Sequence, residues 1–160
     1  VTAGISRGSS GFTIVETLIV IAIVAILALV SVPFFSGFID NRNLKTAARD
    51  ISGAVYEAKE KAMAETTAYR ISFGTGADSY YEIHKCANAG LPCGSYSSIS
   101  KNGLSGIGRG LKINSAAAFD IQPRGTLSQI SNITLENSRG STATVAISIL
   151  GRTNVTWTLK

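Results

Sequence analysis

Few side chains in this sequence are equipped for chemistry, and their spacing narrows what they could do. Cys86 and Cys93 are the two cysteines, with six residues between them. They form no redox C-x-x-C pair, and no second cysteine pair completes a zinc site. Outside the cytoplasm they are expected as a local disulfide, worth about 2–3 kcal/mol by the chain-entropy estimate; inside it they would be free thiols. His84, the single histidine, falls in a strand-like pattern and reads as solvent-facing. No nucleophile stands in a recognisable elbow for it to serve. Gly103-Leu-Ser-Gly-Ile-Gly-Arg-Gly110 has the glycines of a phosphate cradle without its strand-to-helix setting, so it reads as a flexible loop. Asn132-Ile-Thr134 and Asn154-Val-Thr156 match an N-glycosylation pattern and read as strand residues. The expectation is no catalytic residue, no metal, no cofactor and no enzyme.

Charge is the next candidate. Residues 101–160 carry Lys101, Arg109, Lys112, Arg124, Arg139, Arg152 and Lys160 against Asp120 and Glu136. A basic tip of this kind could hold a polyanion, DNA above all, through phosphate contacts. The alternative is a scattered, solubilising surface. The whole chain has 160 residues, 45% of them hydrophobic and 16% charged, with net charge +5, which excludes a disordered or fibrous protein. Its length allows one small globular domain beside a long helix.

Glu16 is the odd carboxylate. It stands at the start of a stretch, Gly11 to Phe38, in which it is the only charge. From Thr17 to Phe35 only Thr17, Ser31 and Pro33 break the apolar run. As a helix that run is about 28 Å long, enough to cross a hydrocarbon core of ~30 Å. A carboxylate there is costly and marks function by default. Pro33 and Gly37 are expected to bend the helix. A secretory signal peptide would place small residues after its apolar core. Here Gly8, Ser9, Ser10 and Gly11 precede it. A plain membrane anchor is the other alternative. Residues 1–11, small and polar with Arg7, read as a leader on the cytoplasmic side.

Gly11-Phe12-Thr13-Ile14-Val15-Glu16, followed by the apolar run and Pro33, resembles the start of a type IV pilin or pseudopilin. The likeness is strong from Arg7 to Phe38. It implies a prepilin peptidase that cuts between Gly11 and Phe12 and methylates Phe12. It implies that Glu16 acts in filament assembly. Its partners would be other pilins or pseudopilins, an inner-membrane assembly platform, and membrane lipid before assembly. The protein would sit in a bacterial inner membrane, head outside the cytoplasm, and then in a periplasmic pseudopilus or an extracellular pilus.

The elements that position these residues follow from periodicity. Leu44, Ala47, Ala48, Ile51, Ala54, Val55, Ala58 and Ala62 recur at spacings of three and four, an amphipathic continuation of the helix to Glu65. Alternation then predicts strands at 69–73, 80–85, 111–113, 119–121, 133–136, 142–149 and 154–159, with 86–110 a long excursion. The expected fold is α+β: a long N-terminal helix, apolar in its first half and kinked near Pro33, packed on an antiparallel β domain of five to seven strands. The divisions are 1–11 leader, 12–38 membrane and filament-core half, 39–65 amphipathic half and 66–160 head.

Phe119-Asp-Ile-Gln-Pro-Arg-Gly125, Ile133-Thr-Leu135 and Val145-Ala-Ile-Ser-Ile149 before Gly151-Arg152 are similar to H-type pseudopilins of type II secretion and FimT-like minor pilins. The resemblance implies two packed sheets on the helix. FimT-like pilins are associated with DNA uptake through a Gly-Arg-x-Arg segment. Here Gly151-Arg152-Thr153-Asn154 keeps the first Arg and lacks the second. Arg139, Arg152 and Lys160 are the candidate DNA contacts.

Overall fold

A computed structural model describes residues 12–88 and 93–160, with residues 30–35 described by their backbone alone. The chain divides into two units, one ending at Ser36 and the other running Gly37–Lys160. Helix α1, Ile14–Glu65, contributes to both.

In the first unit every described side chain from Phe12 to Leu29 is exposed. Among the described residues no helix is long and apolar enough to cross a membrane. The second part of the apolar run, Val30 to Phe35, includes Pro33 and has no described side chains, and Gly11 lies outside the described residues altogether.

In the second unit the expected stripe is the buried face of α1. Leu44, Ala47, Ala48, Val55, Ala58 and Ala62 are fully buried. Four of these are alanines, which present only a methyl group to the core. The strands are β1 (Tyr69–Gly74), β2 (Tyr80–Cys86), β3 (Tyr96–Gly103), β4 (Lys112–Ser115), β5 (Phe119–Ile121), β6 (Ser131–Glu136), β7 (Thr142–Ile147) and β8 (Thr153–Thr158). They form two antiparallel sheets, β3-β2-β1-β5 and β4-β6-β7-β8. Alternate residues of each sheet turn inward: Tyr69 and Ile71 from β1, Ile133 and Leu135 from β6, Ala143, Val145 and Ile147 from β7. Together with the helix stripe they make one core.

Two expectations are corrected. The excursion at 86–110 contains strand β3, so the head has eight strands among its described residues. Its sequence, Tyr-Ser-Ser-Ile-Ser-Lys-Asn-Gly, lacks apolar alternation because an edge strand that buries neither face needs none. The glycine-rich segment is a 3₁₀ turn, Leu104–Gly106, whose Leu104 is fully buried. The Leu104 N–H donates to the Ser79 carbonyl at 2.9 Å. The buried Ser79 hydroxyl also accepts from Ile113 N–H at 2.8 Å, tying the β1–β2 turn to β4.

Candidate functional site

At the N-terminal end the first turn of α1 is capped. The Glu16 N–H donates to the Thr13 hydroxyl at 3.2 Å, and the Thr17 hydroxyl donates to the Thr13 carbonyl at 3.3 Å. Thr13-Ile-Val-Glu16 thus has the spacing of a capping box, and Glu16 occupies the first turn, where the helix dipole favours a carboxylate. Sequence reasoning missed this cap, although the Thr-x-x-Glu pattern is the signal that could have found it. Phe12 precedes it and is 78% exposed.

In the head, Cys86 and Cys93 are joined as a disulfide with Cα atoms 5.9 Å apart. It ties the end of β2 to the segment before β3. Beside it lies a cleft of ≈ 550 Å³, lined among others by Cys93, Arg70, Tyr96 and Asp120. Arg70 and Asp120 are directly opposite on β1 and β5. Nε and Nη2 of Arg70 donate to the two oxygens of Asp120 at 2.6 and 3.1 Å. The Asp120 bond raises the pKa of the guanidinium, and the same group stacks 4.1 Å from the centre of the Tyr96 ring. All its charge is matched in place, as in a structural brace. His84 is half-buried, and its Nε2 is 2.8 Å from the Ser72 hydroxyl. Among the described residues no group of carboxylates, cysteines and histidine could hold a metal.

Residues 6–32 match the prokaryotic N-terminal methylation motif. The fold is similar to that of the minor pseudopilin EpsH from the Type 2 Secretion System of Vibrio cholerae, with a TM-score of 0.56 at 8% identity, over 72% of this chain and 97% of that one. It is also similar to the type IV minor pilin FimU of Pseudomonas aeruginosa PAO1, with a TM-score of 0.55 at 17% identity, over 74% and 92%. The chain carries a prepilin-type N-terminus on a pilin fold. At these identities the structural likeness is one of fold, and no curated protein matches the chain.

The basic residues of this pilin-fold head do not form one patch. Arg139, in the β6–β7 turn, donates from Nε to Asp40 Oδ2 at 3.0 Å. Its guanidinium lies over Gly37, where a Cβ would come within 3.2 Å of it. Gly37, expected at a bend, therefore has an observed role in admitting Arg139. Lys160 belongs to the same end: its carbonyl accepts from Asn41 Nδ2 at 3.3 Å and its N–H donates to the Ser141 hydroxyl at 3.0 Å. The buried Asn137 completes this network, donating to Asn41 Oδ1 and accepting from the N–H groups of Arg139 and Ser141. Arg152 lies elsewhere, in the β7–β8 turn that packs on Lys59. Lys59 Nζ donates to the Leu150 carbonyl at 2.7 Å. A Cβ on Gly125 or Gly151, both at positive φ, would meet Lys59 at 3.1 or 3.0 Å. The two Arg-Gly turns thus converge on Lys59. At ~1.5 Å per residue Lys59 is about 28 Å along the helix from Asp40.

Proposed function

We propose that this protein is a structural subunit, a minor pilin or pseudopilin, of a type IV pilus or type II secretion pseudopilus. The observation that supports the reading is the match of residues 6–32 to the methylation motif, a stretch in which Phe12, the Thr13 cap and Glu16 come before the apolar run. The apolar run from Thr17 to Phe35 holds the subunit in the inner membrane before assembly, with the head outside the cytoplasm. Prepilin peptidase cuts between Gly11 and Phe12 and methylates Phe12. Pro33 lets the helix bend between its apolar and amphipathic halves. The kinship in fold with EpsH and FimU supports both settings equally.

Glu16 is the assembly group in this reading. An unpaired carboxylate costs several kcal/mol in a low-dielectric bundle, of order 3–5, whereas a partner ammonium offsets that cost. The new amine of Phe12 on a neighbouring subunit is that partner, because Phe12 lies just ahead of the helix and Glu16 in its first turn, and a stagger between subunits brings them level. Glu16→Ala should leave membrane insertion and cleavage intact and lower incorporation into filaments, measured as sheared-filament against membrane-fraction protein in a host lacking the wild type. Equal incorporation would sink the role of Glu16.

A second reading, a DNA-binding minor pilin in DNA uptake, is favoured by one observation, the convergence of the Arg124 and Arg152 turns on Lys59. Arg139 contributes to it least, since Asp40 already neutralises it.

A further inference from the structure

The turn between β7 and β8, Ser148 to Arg152, carries unusual residues at its corner. Turn corners favour Gly, Pro, Asn, Asp and Ser, yet the two corner residues here are Ile149 and Leu150. They are 49% and 59% exposed. The turn closes through the Gly151 N–H, which donates to the Ser148 carbonyl at 2.8 Å, a backbone bond that calls for neither side chain. Ser131 pairs with Ile147, which sets Ile130 beside Ser148, and Ile130 is 65% exposed. Ile130 and Arg152 line one shallow cleft of ≈ 340 Å³. Tyr56 and Met63, also exposed, stand about one helical turn to either side of Lys59, which is bonded to this turn. Apolar side chains therefore gather at the Lys59 end of the head.

The backbone of the turn is prepared for a dry setting. The Ser148 carbonyl takes the Gly151 N–H, and the Arg152 carbonyl takes the Ser148 N–H at 2.9 Å. The Ile149 carbonyl accepts from Leu127 N–H at 2.7 Å, and the Leu150 carbonyl from Lys59 Nζ at 2.7 Å. The Arg152 N–H donates to the Ser148 hydroxyl at 3.1 Å. A surface turn can leave such carbonyls to water, but a segment that enters lipid must satisfy them internally.

Charge selects the occupant. Arg152 and Arg124 are exposed and belong to the two turns that meet at Lys59. The bond with Thr153, then the charges of Lys59 and Arg152, lower the pKa of the Tyr56 hydroxyl, so the field at this end is positive. A second copy brought face to face would set these cations against their own counterparts. Duplex DNA would meet the cations and leave the apolar corner unused. An anionic lipid surface uses both, because its acyl boundary takes apolar side chains and its phosphates take cations. We infer that the Lys59 end of the head docks on an anionic lipid surface, with Ile149, Leu150 and Ile130 entering the acyl boundary and Arg152 and Arg124 meeting the headgroups.

The full chain is reconstituted in nanodiscs of neutral phosphatidylcholine and recovered by size exclusion, a step that tests its membrane anchoring separately. Vesicles of phosphatidylcholine alone, or of equal parts phosphatidylcholine and phosphatidylglycerol, are then added and floated, with empty discs as the blank. Loaded discs should float with the anionic vesicles and stay behind with the neutral ones. Ile149→Ser/Leu150→Ser keeps the backbone bonds of the turn and should weaken flotation about tenfold, since two apolar side chains lose their transfer into lipid. Arg152→Ala should weaken it about fivefold, the share of one cation at an anionic surface. If the serine variant fails to fold, Ile130→Ser, outside the turn, decides in its place. No flotation of wild-type discs with the anionic vesicles overturns the inference and leaves the patch to a protein partner. Flotation that the serine substitutions leave unchanged overturns it too, because the cations alone then account for binding. Equal flotation with neutral vesicles overturns the role given to Arg152 and Arg124, and with it the choice of surface.

Discussion

Arg139 reaches 99 positions back along the chain to Asp40, Nε to Oδ2 at 3.0 Å, and covers Gly37 as it does so. The pair fastens the β6–β7 turn to the first part of the helix in the head. Asp40 also accepts from the Ser138 hydroxyl at 3.3 Å. Because both partners are partly exposed, the coupling is modest. A double-mutant cycle of Asp40→Ala and Arg139→Ala, read by denaturant unfolding, should give about 0.5–1 kcal/mol. Strict additivity would show that the pair contributes nothing.

The disulfide makes a second prediction. Non-reducing peptide mapping of the exported protein should recover one linked Cys86–Cys93 peptide, and Cys86→Ser/Cys93→Ser should lower stability by about 2–3 kcal/mol. The loss should appear first as faster exchange in β3, whose attachment to the rest of the sheet is through β2. Full alkylation without prior reduction would contradict it.

Stability should fall at both ends of the pH scale through one cluster. The Lys85 bond, then the Tyr69 bond, holds the Glu65 carboxyl below its ordinary range. Its contribution is complete at neutral pH and is lost as pH falls through that lowered value. Burial, then the bond to Glu65, pushes the Tyr69 hydroxyl up to about 12 from 10.0. A raised value means that its contribution is complete below pH 10 and is lost as pH rises toward about 12. Tyr69→Phe should cost about 1 kcal/mol at neutral pH and flatten the alkaline fall. An unchanged alkaline limb in that variant would exclude Tyr69 as its source.

What was legible in the sequence was whatever repeats at short range. The stripe from Leu44 to Ala62 repeats every three or four residues and lies buried where expected. Strand β5 was read to the residue, and β1, β2, β6, β7 and β8 to within two at each end, because alternation survives wherever one face of a strand meets the core. Strand β3 was not legible, since its pairing with β2 is made by backbone groups that every residue carries. Arg139 was read as a tip cation because the partner that neutralises it is brought near only by folding. The same holds for Arg70 and Asp120, opposite one another through β1–β5 pairing. Lys59, at the meeting of two Arg-Gly turns, carries no local signal of that contact, because both turns reach it only through folding.

The DNA reading separates the basic residues by location. The full chain in detergent should retard duplex DNA at low salt and release it steeply as salt rises. Arg124→Glu with Arg152→Glu should weaken binding far more than Arg139→Glu, because Lys59 joins the first two and Asp40 already occupies the third. No retardation at low salt leaves the structural subunit alone. Equal loss from both variants would argue against the Lys59 end as the binding face.

The central claim is that residues 6–32 are a processing and assembly signal, which the N-terminus of the mature protein tests most directly. Mass spectrometry of the protein purified from membranes of its native host should find a chain that begins at Phe12 and carries one methyl group on its amine. A mature chain that retains Arg7 and an intact Gly11–Phe12 bond would contradict the account and leave the apolar half of the helix a plain anchor.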